Sequence, residues 1–141
     1  MRKQLYVFLL LFLAGHILFS QDILGTWTTV DDETGEEKSI VEIYEFEGKV
    51  YGKIVEILTD NKDALCTKCK GDNHGKPILG MQIINGLSKD DDVYDGGTIL
   101  NPNNGKVYKC RLKLTENTDT LQVRGYVAFF YKTQYWKRVS K

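Results

Sequence analysis

The sequence predicts an all-β domain, an eight-stranded antiparallel β-barrel, on three observations. Beyond residue 20, apolar and polar residues alternate at period two, and no segment sustains the 3.6-residue period of a helix. Clusters of Gly, Asn and Asp interrupt the alternation every ten to fifteen residues, as turns do between short strands. The triplet Gly25-Thr26-Trp27 opens the patterned region and Trp136-Lys137-Arg138 almost closes it, as suits a sheet whose last strand returns to its first. Eight strands close an antiparallel barrel around an interior fit for side chains or one small ligand, and closure removes the edges that invite aggregation. A two-sheet sandwich of the same strands is the competing arrangement.

The first element is not a strand. Arg2 and Lys3 precede an apolar run from Leu5 to Phe19, Ser20 is a small residue at a plausible cut, and Gln21-Asp22 turns polar at once. Residues 1–20 therefore read as a secretory signal peptide, and the run of fifteen falls short of the roughly 18 residues a membrane span needs. The expectation is a single exported domain over residues 21–141, periplasmic or secreted, with no stable membrane span after signal removal. Removing the signal takes two cations and no carboxylate from the 19 of each sign, leaving a formal charge of −2. So balanced a composition gives no electrostatic footprint for nucleic acid or an anionic membrane.

Strand one is expected over Gly25–Val30, before the acidic turn Asp31-Asp32-Glu33-Thr34-Gly35. Strand two, Lys38–Phe46, joins strand three, Lys49–Leu58, through the pair Glu47-Gly48, where glycine supplies the positive φ of a primed hairpin turn. Residues 59–76 are too long for a plain hairpin and mark a functional or loosely ordered loop. Strand four is expected over Ile78–Ile84, ended by Asn85-Gly86, and strand five over Val93–Leu100, with Gly96-Gly97 marking a bulge or bend. The turn Asn101-Pro102-Asn103-Asn104-Gly105 leads to strand six, Lys106–Leu114, in which Tyr108, Cys110, Leu112 and Leu114 face inward. Strands seven and eight are placed over Leu121–Val127 and Gln134–Val139.

Trp27 and Arg138 are candidates for structural closure, since a guanidinium over an indole face gains roughly 0.5–2 kcal/mol and covers a barrel end. Gly-x-Trp on the first strand with Arg on the last resembles the calycin group, the lipocalins and fatty-acid-binding proteins. A closer resemblance spans nearly the whole exported region. Gly25-x-Trp27, Ile40-Val41-Glu42-Ile43-Tyr44, Gly52-Lys53-Ile54, Cys66-x-x-Cys69, Gly97-x-Ile99-Leu100-Asn101-Pro102-x-x-Gly105-Lys106-x-Tyr108, Leu121-x-Val123-Arg124-Gly125 and Trp136-x-Arg138 are similar in order to the motifs of the DUF2147 family. That family consists of exported bacterial proteins of unassigned function. The resemblance implies a lipocalin-like barrel and an envelope location, and it brings no activity or catalytic residues. Asn101-Pro102 stands where the family commonly has Asp-Pro; asparagine serves a turn equally, so only a charge-dependent role is put in doubt.

Cys66-Thr67-Lys68-Cys69 lies in the long loop, with His74 beyond it and Cys110 in strand six. In an oxidising compartment the first expectation is a Cys66–Cys69 disulfide. Zinc held by Cys66, Cys69, His74 and Cys110, or a redox pair, are the alternatives, although no second ligand pair and no helix amino terminus supports either. Cys110 reads as a small buried apolar residue.

Glu42, Glu45 and Glu56 lie on adjacent expected strands, and two such carboxylates could act as a glycosidase pair, but charged strand residues far more often form a solvated face. His74 is the only histidine after residue 20, no nucleophile elbow occurs, and no phosphate-binding glycine loop precedes a helix, so no cofactor and no enzymatic activity are expected. The aromatic residues give the remaining signal. Tyr44, Tyr108, Tyr126, Phe129 and Tyr135 are candidate ligand-binding residues in a lumen, together with Tyr51, Tyr94, Phe130 and Tyr131, and plain core packing is the competing reading. The leading functional expectation is a non-enzymatic binder of a small apolar or amphipathic ligand. The alternatives are recognition of an envelope protein by the Cys66–Cys69 loop, or a metal or redox site there.

Overall fold

The computed structural model describes residues 22–139; the expected signal segment, residues 1–20, lies outside them. The strands are β1 (Gly25–Val30), β2 (Glu37–Phe46), β3 (Lys49–Ile57), β4 (Gln82–Asp90), β5 (Val93–Asn101), β6 (Lys106–Leu114), β7 (Thr120–Val127) and β8 (Phe130–Arg138). They form one closed antiparallel barrel in chain order, and β8 returns to β1 through the pairs Trp27 with Arg138 and Thr28 with Lys137. The sandwich is thereby excluded. Among the described residues no helix is long and apolar enough to cross a membrane.

Alternation dictates which face each strand buries. On β1, Trp27 and Thr29 are buried between less buried neighbours, and on β2 Val41 and Ile43 are buried while Glu42 and Tyr44 are not. Both ends of Glu47-Gly48 have positive φ, 49° and 77°, the geometry of a type I′ turn. At the end of the barrel where Glu47-Gly48 turns and β1 begins, Trp27 is fully buried and its indole N–H donates to the Ile23 carbonyl at 2.8 Å. The Arg138 guanidinium lies 4.3 Å from the Trp27 ring centroid. It also donates to the carbonyls of Asp22 and Thr118, each at 3.0 Å, tying the segment before β1 to the β6–β7 loop.

Two strands differ from expectation. Strand four was expected over Ile78–Ile84 but β4 runs through Asn85-Gly86 to Asp90. Ile78 to Met81 instead turn back on themselves, with the Met81 N–H on the Ile78 carbonyl and Gly80 N–H on the Ile54 carbonyl. Gly86 sits within β4 at a φ of 68°, beside a register break against β3, so Asn85-Gly86 is a bulge inside a strand and not its end. β8 begins at Phe130, four residues before expectation, because Ala128-Phe129 closes a tight hairpin in which Val127 pairs with Phe130. Gly96-Gly97 does mark a register break between β5 and β6.

Candidate binding cavity

The barrel is closed at one end and open at the other. The open end gathers the β1–β2 loop, the long β3–β4 loop, the β5–β6 turn and the β7–β8 hairpin. A cavity of about 340 Å³ enters there, walled by Ile54, Ile83, Ile99, Val123 and Trp136. Ile99 on β5 pairs with Tyr108 on β6, so these two side chains share one level of the wall. Tyr108 places its hydroxyl near the rim, where Asn104 Nδ2 donates to it at 3.1 Å. On the opposite wall Thr29 and Ser39 hydroxyls are 2.9 Å apart, and the Ser39 N–H donates to Thr29 Oγ1, so these polar groups are satisfied.

The rim is charged. Asp31 accepts the backbone N–H groups of Glu33 and Thr34, both at 2.9 Å. Those bonds, the one from Thr34 foremost and then that from Glu33, hold its carboxyl below the usual carboxylate range. Across the seam, Gln134 Nε2 donates to Asp32 at 3.4 Å, and Lys132 Nζ lies 3.9 Å from Glu33, so the loop reaches over β8 beside the mouth. The Trp136 indole N–H donates to Gln134 Oε1 at 3.0 Å, which fixes the ring edge against the wall. The arrangement can hold an apolar body inside with polar groups at the entrance.

Of the five candidate ligand residues, only Tyr108 lines this cavity. Tyr44 points outward, stacked on Tyr51 at 5.9 Å with its hydroxyl donating to Gln82. Tyr126 also faces out, 5.8 Å from the Tyr131 ring. Phe129 occupies the β7–β8 turn and is 98 % exposed. Tyr135 lies in a shallow depression of the outer wall with Arg111, Gln122 and Arg124. Strand parity is the reason: with Ile43, Val123 and Trp136 inward, their neighbours at odd spacing must face solvent. The same parity within β7 and β8 would have placed Val123 and Trp136 on the inner face, which the choice of Tyr126 and Tyr135 missed.

Cys66 and Cys69 are joined in a disulfide, and both are buried. The ring packs on the β5–β6 turn. Gly105 is buried there at a φ of 71°, and a Cβ at that position would overlap the Lys68 carbonyl. Asn101 Oδ1 accepts the Asn103 N–H at 3.0 Å, so asparagine does form the turn that Asp would. His74 Nδ1 lies 3.0 Å from the Cys69 carbonyl, which can only accept. The bonded sulfurs leave no thiolates for zinc, and among the described residues no group of three or more His, Cys, Asp or Glu converges on a metal position. Burial pushes the Cys110 thiol up to about 12. Glu45 and Glu56 are exposed, and Glu42 forms a half-exposed pair with Lys53 at 3.9 Å, so the carboxylates form a solvated face.

A closed eight-stranded antiparallel barrel with one open, apolar-walled end is lipocalin-like in architecture. Protein HP1028 from Helicobacter pylori, described as belonging to the lipocalin family, has the same fold. It superposes with a TM-score of 0.75 at 23% identity, covering 86% of this chain and 85% of that one. The chain belongs to the DUF2147 family, described as uncharacterized proteins conserved in bacteria, whose model matches residues 25–138. No curated relative matches the sequence.

Proposed function

We propose that this is an exported, non-enzymatic protein of the cell envelope that binds a small apolar or amphipathic molecule in its barrel. The observation that carries the reading is the cavity of about 340 Å³, aliphatic in its wall and polar at its mouth. Export is supported by the composition of residues 1–20 and by a buried disulfide, which persists in an oxidising compartment. The carboxylates of the mouth are engaged, Asp31 by the backbone N–H groups of Glu33 and Thr34, Asp32 by Gln134 and Glu33 by Lys132, and the wall below them is aliphatic, which supports binding over catalysis. The likeness to HP1028 supports the fold on which the reading depends.

Native mass spectrometry of the protein purified from its own envelope tests this. The expected result is a mass excess that disappears on denaturation and matches a lipid or other small amphiphile. Ile99→Trp should fill the wall and abolish that excess while far-UV circular dichroism stays unchanged. Retention of the same excess in Ile99→Trp would sink the lumen as the site. A second reading, recognition of an envelope protein by the disulfide loop, is favoured by Leu65 and Leu79, which are 50% and 49% exposed on that loop. Recovery of the same partners by a Leu65→Ser, Leu79→Ser variant would dispose of it.

A further inference from the structure

The near-neutral composition conceals a sharp local asymmetry. β6, β7 and β8 are adjacent, and together they contain eight Lys and Arg residues and no Asp or Glu; Arg138, held over Trp27 at the far end of the barrel, stands apart from the other seven. Among the described residues, Lys106, Lys109, Arg111 and Arg124 make no ion pair, whereas Lys113, Lys132, Lys137 and Arg138 do. The Lys132 pair with Glu33 spans 3.9 Å and offsets the charge of that lysine, so the unpaired cations Lys106, Lys109, Arg111 and Arg124 carry the asymmetry.

The hairpin that joins β7 and β8 ends in apolar side chains. Val127, Phe129, Phe130 and Tyr131 are 45%, 98%, 78% and 59% exposed, and Val107 on β6 is 57% exposed. Below this tip the outer wall carries the Tyr126–Tyr131 pair, with the Arg124 guanidinium 4.9 Å from the Tyr131 centroid and Lys109 paired across from Tyr126. Apolar rings lie outermost, then tyrosines, then cations. That vertical order matches the layers of a lipid interface: acyl boundary, headgroup belt, phosphate.

We propose that the β7–β8 hairpin tip and the outer wall of β6–β8 form a membrane-docking surface for an anionic lipid bilayer. Charge complementarity selects this occupant, since three strands without a carboxylate suit phosphates. The carboxylates of the mouth, Asp31, Asp32 and Glu33, lie on the β1–β2 loop, whose contacts with this surface are at Lys132 and Gln134 of β8, leaving the cations of β6 and β7 beyond them. Docking on the tip sets the barrel mouth beside the bilayer. The inference stands whether or not the cavity holds a ligand.

Flotation of the purified protein with phosphatidylcholine vesicles, and with vesicles that also contain phosphatidylglycerol, tests the surface. Binding is expected only where phosphatidylglycerol is present, and it should weaken as salt is raised. Phe129→Ser with Phe130→Ser should reduce binding at least about tenfold, since each ring loses its apolar burial. Lys106→Glu with Lys109→Glu should reduce it as well. Both pairs are on exposed surface, so unchanged thermal unfolding is the check that the fold survives. Failure of the native protein to float with anionic vesicles overturns the proposal, as does equal flotation of the Phe129→Ser, Phe130→Ser variant. Loss of self-association or of a protein partner in that variant, with no vesicle binding by the native chain, would reassign the tip to a protein interface.

Discussion

Arg138 shows how much one side chain can tie together. Its guanidinium covers Trp27 and bonds the carbonyls of Asp22, Leu24 and Thr118, from two segments far apart in the chain, so it joins them at the closed end. Trp27→Ala should cost about 3–5 kcal/mol, measured by chemical denaturation, because the indole is fully buried. Arg138→Met should cost about 1–3 kcal/mol, since it leaves the carbonyls without a donor and removes the cation from the ring. Cys110 makes a pH prediction. Its folded value is raised from 9.0 to about 12, so the unfolded chain loses the proton first as pH rises. The stabilisation is complete below 9.0 and is lost as pH climbs toward about 12. Cys110→Ala should flatten that part of the alkaline stability curve relative to the parent, and the native thiol should resist alkylation until the protein unfolds.

At the scale of elements, the disulfide loop and the β5–β6 turn behave as one piece, because Gly105 lies directly against the Lys68 carbonyl. Gly105→Ala should separate them. A destabilisation of about 2 kcal/mol or more and faster proteolysis within residues 58–81 are expected, from the overlap and the positive φ together. Replacing Cys66 and Cys69 by Ser should cost about 2 kcal/mol, the loop entropy of so short a ring. Most strands were legible because one buried face imposes alternation, as β6 illustrates with Cys110 and Leu112 inward. β4 and β8 were misplaced where turn chemistry misleads. Asn85-Gly86 has the residues of a turn and acts as a bulge, whereas Ala128-Phe129 has none of them and makes one. Ala128 does so at a φ of 50°, which no local preference of alanine announces.

For the whole molecule, Trp27 and Arg138 made closure legible from the ends of the chain. The cavity was not, since its walls are ordinary aliphatic residues whose role depends on a volume left between strands. Aromatic count misled because tyrosine suits an outer β surface as well as a core. The β1–β8 seam has two paired positions where β7–β8 has eight, so it is the shorter ladder of the two. Hydrogen exchange should therefore be faster along β1 than along β7, and equal protection would show that the barrel opens only as a unit. The same seam brings Asp22 and Arg138 within hydrogen-bond distance, 3.0 Å, on the side of the barrel opposite the mouth. Sequence order is thus incidental to the circle of strands. A permuted chain that joins residue 139 to residue 22 by a short linker and starts at Gly48 should rebuild the same barrel, with its new ends still pointing away from the entrance.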